Sequence, residues 1–225
     1  MYKIIKTKFN RFFATKITGF RRLIELKSNK FWFNYPFGEK VQASHEEYLQ
    51  LASKVKLEEY PQIDDYEKKI GYKVDIKWLD ELALHTQVVI KESPLCYAHG
   101  RLLYTTLSNY INKQKNLSPV NRITIWETGT ARGFSSICMA KALYEHKQAG
   151  AILTFDVLPH NIKMYWNCID DIEGPKTRRE LLKPWEFLLE NYIIFHQGDT
   201  ALELQKMRAE RIHFAFLDGA HTYDD

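Results

Sequence analysis

The sequence predicts an α/β protein with a doubly wound, mostly parallel sheet, preceded by a helical extension. Short runs of β-branched and aromatic residues alternate with stretches of helical period, which is the β–α rhythm of a parallel sheet. Four such runs are predicted strands: the run from Ile123, then Ala151–Val157, Tyr192–His196 and Ile212–Leu217. Acids lie at or just after the last three strands, at the edge where such sheets bind ligands: Asp156, Asp199 and Asp218.

The first strand runs into a turn with two glycines, Glu127-Thr128-Gly129-Thr130-Ala131-Arg132-Gly133. Glycine lets a backbone turn sharply and approach a ligand closely. A helical period follows Gly133, so the turn leads into a helix whose first N–H groups face outward. Taken alone, this spacing fits a ligand cradle and an ordinary tight β–α turn equally well.

Length and composition suit one large domain, or one domain with a sizeable extension. The chain has 225 residues, 45% of them hydrophobic, and no stretch of 18 consecutive apolar residues. The N-terminus has no continuous apolar segment typical of a secretory signal. Three cysteines far apart, Cys96, Cys138 and Cys168, argue against a zinc site and a disulfide framework. We therefore expect a cytoplasmic protein.

The first thirty residues are strongly basic. They hold nine Lys or Arg and one acid, whereas the rest of the chain has 23 basic and 27 acidic residues. Apolar residues recur there at spacings of three and four, which predicts a helix with a Phe-rich face. Such a helix can pack on its own domain or on a partner subunit, as in a homo-oligomer, or lie on an anionic membrane surface. Packing is the favoured interpretation, and nucleic-acid binding is the least favoured.

Further helices are predicted from capping motifs and periodicity. Ser44 and Glu47 form a capping box for a helix over residues 45–55, after which Pro61 interrupts the pattern. Helical runs cover residues 76–90 and 95–111, and Thr177 with Glu180 opens another helix that contains Pro184 in its early turns. The last predicted helix ends at about residue 208. We divide the chain into an extension, residues 1–93, and a ligand-binding domain, residues 94–225.

The motifs together resemble those of class I S-adenosylmethionine-dependent methyltransferases. Glu-x-Gly-x-x-x-Gly, the acid of the second strand, Gly198-Asp199 and Asp218-Gly219-x-His221-x-Tyr223 stand in the order of that family. The last motif is similar to a subgroup that methylates small molecules and sugars, as is the helix segment His99-Gly100-Arg101-Leu102-Leu103-Tyr104. The resemblance covers residues 94–225 and implies a Rossmann-like fold with S-adenosylmethionine as cofactor.

The resemblance also implies roles for individual residues. Glu127, Gly129 and Gly133 would shape the pocket for the methionine part of the cofactor, and Asp156 would hold the ribose hydroxyls. Asp199 would accept the adenine amino group, beside the tight turn at Gly198. Asp218 would lie near the reacting methyl, and His221 would act as general base. The complete cofactor-binding set is Glu127, Gly129, Thr130, Gly133, Ser135, Asp156, Gly198, Asp199 and Asp218.

Structural roles remain open for the same side chains. Glu127 can order its loop without touching a ligand, and Asp156 can be a strand-end acid at the surface. Asp199 can serve only as the N-cap of the next helix. His221 can be a histidine bonded to a backbone carbonyl. Some relatives use a divalent cation such as Mg²⁺ at the acid that corresponds to Asp218, whose further ligands usually follow a fifth strand.

The chain ends at Asp225, before the fifth of the seven strands that the family has. We therefore expect an incomplete sheet, with the fourth strand as an edge, and weak cofactor binding with poor turnover. The primary hypothesis is O-methyl transfer to a small molecule or to a sugar or lipid-linked hydroxyl. A non-catalytic binding or membrane-associated domain is the first alternative. An NAD(P)-dependent oxidoreductase is the second, although it would prefer Gly-x-Gly-x-x-Gly where Ala131 and Arg132 stand.

Overall fold

The computed structural model describes residues 36–117, 121–208 and 211–219. All described residues except Pro36 belong to one compact unit. The basic helix predicted within residues 1–30 and the predicted base His221 both lie outside the described residues. In the described ranges, no helix has the length and apolar character needed to cross a membrane.

A four-stranded parallel sheet forms the centre of this unit. Its strands are β1 (Ile123–Thr128), β2 (Gly150–Asp156), β3 (Ile193–Gln197) and β4 (Phe214–Leu217), in the order β3-β2-β1-β4. All neighbouring pairs are parallel, which confirms the predicted sheet. The chain moves outward from β1 to β3 and then crosses back to β4 on the other side of β1. This reversal makes the carboxyl ends of β1 and β4 a topological switch point, where doubly wound sheets bind ligands.

Helices surround the sheet and connect its strands. Among the described residues, four helices precede the first strand: α1 (His45–Val55), α2 (Pro61–Ile70), α3 (Ile76–Thr86) and α4 (His99–Leu117). Helix α5 (Phe134–Glu145) follows β1, and α6 (Arg178–Leu181) and α7 (Glu186–Tyr192) lie between β2 and β3. Helix α8 (Thr200–Leu204) connects β3 to β4. The predicted capping box of Ser44 and Glu47 is present at the start of α1.

Several helix predictions were wrong in detail, and the helix predicted over residues 76–90 ends at Thr86. Pro61 does not interrupt a helix but begins α2, because proline at the first helical position loses no hydrogen bond and has a suitable φ. The helix predicted after Thr177 ends at Leu181, and Pro184 lies in the 3₁₀ turn Lys183–Trp185 that separates it from α7. The helix predicted to reach about residue 208 ends at Leu204.

One face of the sheet is buried against helices. Ile125, Ile152 and Ile193 lie side by side on the three strands β1, β2 and β3 and belong to the main hydrophobic core. Side chains of α4, α5 and α7 complete this core. Helix α3 contributes Leu79 and Leu82, so a helix from before residue 94 packs into the core of the sheet. The domain boundary that we placed at residue 93 stays a prediction.

A long insertion between β2 and β3 covers residues 157–185, and we call it the β2–β3 insertion. An antiparallel bridge joins Met164 to Lys176, and the 3₁₀ helix Ile169–Glu173 lies between them. The insertion has a small hydrophobic cluster of its own, made by Leu158, Met164, Trp166, Cys168 and Leu181. Trp166 is completely buried there, and its indole N–H donates to the Lys176 carbonyl at 2.7 Å. The insertion is therefore a packed element next to the sheet edge.

Substitution of Gly129 tests how closely the turn after β1 packs on β4. Gly129 has φ +83°, and a Cβ there would lie 1.9 Å from the Asp218 carbonyl oxygen. Gly71 is a matched control, because its φ is +85° and a Cβ there meets no atom within 4 Å. We expect Gly71→Ala to lower the free energy of unfolding by about 1 kcal/mol through backbone strain alone. Gly129→Ala should cost about 2 kcal/mol more, because β4 or the turn must move.

Urea unfolding followed by tryptophan fluorescence measures both losses. Equal losses for the two variants would contradict the packing of Gly129 against the end of β4.

Candidate functional site

The turn after β1 lies at the switch point of the sheet. Gly129, Ala131 and Gly133 all have positive φ angles, of +83°, +45° and +92°. The Gly129 N–H donates to the Phe155 carbonyl of β2 at 2.9 Å, while its Cα faces the backbone of Asp218 after β4. Thr130 is buried, and its hydroxyl bonds that of Thr154. The turn is thus held between the ends of β2 and β4.

Helix α5 begins directly after this turn without a side-chain cap. Gly133 occupies the N-cap position and offers no side-chain oxygen to the first amides of the helix. These N–H groups carry the partial positive charge of the helix N-terminus and suit an anionic ligand group.

Glu127 lies beneath the start of α5 and is fully buried. Its two carboxylate oxygens accept hydrogen bonds from the hydroxyls of Ser135 and Ser136, in the first turn of the helix. Burial raises the pKa of Glu127, and nearby Asp156 adds to this effect, although the serine hydroxyls oppose it. Glu127 and Ser135, both predicted to face the cofactor, therefore bind each other in this structure and set the position of the helix N-terminus.

Replacement of Glu127 by Gln should change how stability depends on pH. Because the folded state raises the pKa of this acid, the folded protein keeps the proton longer than the unfolded chain as pH rises. Wild-type stability should therefore fall between the ordinary carboxyl pKa and the raised one. Gln keeps the shape and cannot ionise. We expect Tm of Glu127→Gln, relative to wild type, to increase by about 3 °C between about pH 5 and pH 8.

Differential scanning fluorimetry across this pH range provides the measurement, with Glu81→Gln as control. Glu81 is an exposed acid of α3, so its loss should leave the profile parallel to that of wild type. A parallel profile for Glu127→Gln would rule out a raised pKa at this position.

Asp156 ends β2 and is almost completely buried, so it is not the surface acid of the alternative interpretation. Its Oδ1 accepts from the Leu158 N–H at 2.8 Å. Its Oδ2 accepts from the Ala131 N–H at 2.6 Å and from Arg178 Nη2 at 3.0 Å. Burial raises the pKa of Asp156, whereas Arg178 and the backbone amides lower it. The acid is thus joined to the glycine turn and to Arg178, and the sequence predicted neither contact.

Arg178, the first residue of α6, connects three separate segments. Its Nε donates to the Ala131 carbonyl of the turn at 2.7 Å, its Nη2 to Asp156, and its Nη1 to His160 Nδ1 in the β2–β3 insertion. Burial and Arg178 together lower the pKa of His160 to about 3, so its ring is neutral and can accept this bond. The arginine lies 47 residues beyond Ala131, which it contacts. The Thr177–Glu180 capping box around it signals only the start of a helix, which is why sequence reasoning missed this contact.

Arg132 makes the opposite connection, from the turn to the β2–β3 insertion. Its Nε donates to the Trp166 carbonyl, and its guanidinium carbon lies 4.0 Å from the centre of the Phe37 ring. Burial lowers the pKa of Arg132 to about 10. The turn and the β2–β3 insertion therefore each have a buried arginine that donates to a carbonyl of the other. These two hydrogen bonds hold the insertion beside the turn.

Gly198 and Asp199 lie at the end of β3, next to Asp156. The Gly198 N–H donates to the Asp156 carbonyl at 2.8 Å, which joins the ends of the two strands. Asp199 is buried and caps α8, because its Oδ1 accepts from the Leu202 N–H at 3.2 Å. The N-cap role that we kept open for Asp199 is thus present, and the predicted adenine contact stays a prediction.

Asp218 follows β4 and is exposed. His99, in the first turn of α4, lies close enough for Asp218 to act on its pKa, although burial lowers that pKa overall. The His99 ring contacts Phe134 at 4.9 Å between centroids and is parallel to Phe216 at 6.5 Å. The imidazole of His99 is thus close to Asp218 at this edge of the sheet.

The described residues contain no group of three or more His, Cys, Asp or Glu that could hold a metal ion. A cation at Asp218 therefore stays a prediction.

The donor set of this edge fits a nucleoside with an amino-acid tail. The amides at the start of α5, which have no side-chain cap, suit a carboxylate. The buried carboxylates of Asp156 and Asp199 lie at the ends of adjacent strands, where hydroxyl and amino groups could donate to them. Residues 126–225 match the family model described as a methyltransferase domain. Over this region the chain is similar to methyltransferase domains. The match begins within β1 and includes every predicted cofactor-binding residue.

Solved methyltransferase structures show low sequence identity to this chain. The SAH-bound methyltransferase PaMTH1 of Podospora anserina is 18% identical, with a TM-score of 0.42, and the similarity covers 70% of this chain and 56% of that one. A putative O-methyltransferase of Klebsiella pneumoniae is also 18% identical, with a TM-score of 0.40 and coverages of 70% and 59%. The chain spans less than two thirds of the length of either protein. No curated protein matches its sequence.

Proposed function

We propose that this chain binds S-adenosylmethionine at the carboxyl edge of its sheet and takes part in methyl transfer to a hydroxyl oxygen. The observation that carries the proposal is the placement of the glycine turn, Asp156 and Asp199 at the ends of the adjacent strands β1, β2 and β3, within the region that matches the methyltransferase-domain model. The cofactor supplies a methyl group on a positively charged sulfur. The acceptor class, a small molecule or a sugar or lipid-linked hydroxyl, rests on the sequence resemblance.

The chain's own residues would hold the cofactor by three kinds of contact. The uncapped amides at the start of α5 would take the carboxylate of the methionine part. Asp156 would accept from the ribose hydroxyls, and Asp199 from the adenine amino group. Glu127 would act indirectly, by fixing the helix start through Ser135 and Ser136.

A base near the end of β4 would complete the reaction. Methyl transfer from the bound cofactor would form the oxygen–carbon bond as the carbon–sulfur bond breaks, and the base would take the hydroxyl proton. We propose His221 as the base that takes the proton, with Asp218 beside the reacting groups. His99, which lies close to Asp218, is a second imidazole that could take this role.

Calorimetry with the 225-residue chain tests the proposal. We expect weak but measurable binding of S-adenosylhomocysteine and none of NADH. Asp156→Asn should weaken the binding by roughly tenfold to hundredfold, because hydrogen bonds to a charged acceptor contribute about 1.5–3 kcal/mol. Asp65→Asn, a change at an exposed acid of α2, is the matched control and should bind as wild type does.

Other calorimetric outcomes would favour a different function for the chain. Binding of NADH instead of S-adenosylhomocysteine would favour the oxidoreductase alternative, and binding of neither would favour a non-catalytic domain. An unchanged affinity in Asp156→Asn would remove this acid from the cofactor site.

A further inference from the structure

We propose that Arg178 is the positioning residue of the nucleoside site, which keeps Asp156 ionised and correctly oriented for the ribose hydroxyls. This inference rests on the proposed function, because it assigns Asp156 to a bound nucleoside. It goes beyond that function by giving the β2–β3 insertion, and not only the strand ends, a part in cofactor recognition.

The geometry around the guanidinium supports a positioning role. Arg178 is completely buried, and its nitrogens bond the acid, the carbonyl of Ala131 and the ring of His160. The rings of Trp166 and Phe195 lie 5.4 and 5.6 Å from the guanidinium carbon. A planar group held by this many partners has little freedom to rotate. The carboxylate of Asp156, bonded at Oδ2 by both Ala131 and Arg178, is oriented with it.

The charges around Asp156 make Arg178 its counter-ion. Glu127 faces the acid from β1 and, as a second buried acid with a raised pKa, supplies no positive charge. His160 in the β2–β3 insertion is neutral, and His196 of β3 lies close to His160. Of these four neighbouring groups, Arg178 is therefore the permanent cation. Without it, a buried carboxylate next to another acid would hold its proton to a higher pH.

Loss of this cation should appear in the pH dependence of binding. Ribose hydroxyls donate more strongly to a carboxylate than to a neutral carboxyl group, so binding should weaken wherever Asp156 is protonated. Below its pKa the ionised fraction of an acid falls about tenfold per pH unit. A residue that only supports the fold would lower affinity equally at every pH.

The experiment compares Arg178→Met, Arg178→Lys and Arg179→Met in the full chain, by calorimetry with S-adenosylhomocysteine at about pH 8.5, 7 and 5.5. Arg179 is the matched control, because it is the next residue, is exposed and pairs with Glu190 at the surface. We expect Arg178→Met to lose affinity about tenfold more at the lowest pH than at the highest, relative to wild type. Arg178→Lys should be weaker at every pH and yet keep the wild-type profile, since it retains the charge.

A ligand comparison separates this role from general loss of structure. The 2′-deoxy analogue of S-adenosylhomocysteine lacks one hydroxyl that Asp156 would bind. If Arg178 acts through Asp156, the affinity ratio between the two ligands should shrink in Arg178→Met and stay unchanged in Arg179→Met. Circular dichroism and thermal unfolding of each variant verify that it is folded.

Two results would overturn the inference. One is an Arg178→Met protein whose affinity depends on pH, and differs between the two ligands, as in the wild type. If the wild-type chain still binds S-adenosylhomocysteine, the proposed function stands. The other is a wild-type chain that does not bind S-adenosylhomocysteine, which would overturn the proposed function and the inference together.

Discussion

The buried ion pair between Asp156 and Arg178 is the interaction on which the rest of the site depends. Taking two charges out of water is costly, and the cost is offset only where each charge has several further hydrogen-bond partners. Here the acid also bonds amides on both sides of it, and the guanidinium bonds a carbonyl and a neutral histidine. The pair therefore joins β2, the glycine turn and the β2–β3 insertion into one arrangement.

This arrangement explains why a turn with three positive φ angles is stable. Ala131, the non-glycine residue among the three, has its N–H bonded to Asp156 and its carbonyl bonded to Arg178. Arg132 holds the next peptide through Trp166. On the other side, Gly129 allows the end of β4 to approach closely, because no Cβ stands between the two backbones. Strain in the turn is thus balanced by fixed partners on both sides.

At the carboxyl edge of the sheet, buried partners hold several of the proposed ligand-binding groups in place. The start of α5 is held by Glu127 beneath it, so its free amides keep a constant direction. Asp199 is fixed as a helix cap at the end of β3. Near β4, the exposed Asp218 and the half-buried His99 lie at the side of the edge where the acceptor would approach. Under the proposed function, cofactor recognition and proton transfer would use different parts of this edge.

The sequence by itself determined the parallel sheet, the glycine turn and the acids at its edge, because strand periodicity and strand-end residues are local signals. Only the tertiary structure showed that Asp156 has a buried arginine partner and that Glu127 bonds serines of α5. Arg178 is far from the turn in sequence, and ion pairs of this kind depend on which segments the fold brings together. Pro61 illustrates the same limit at shorter range: whether proline ends a helix or begins one is decided by the hydrogen bonds of the residues around it.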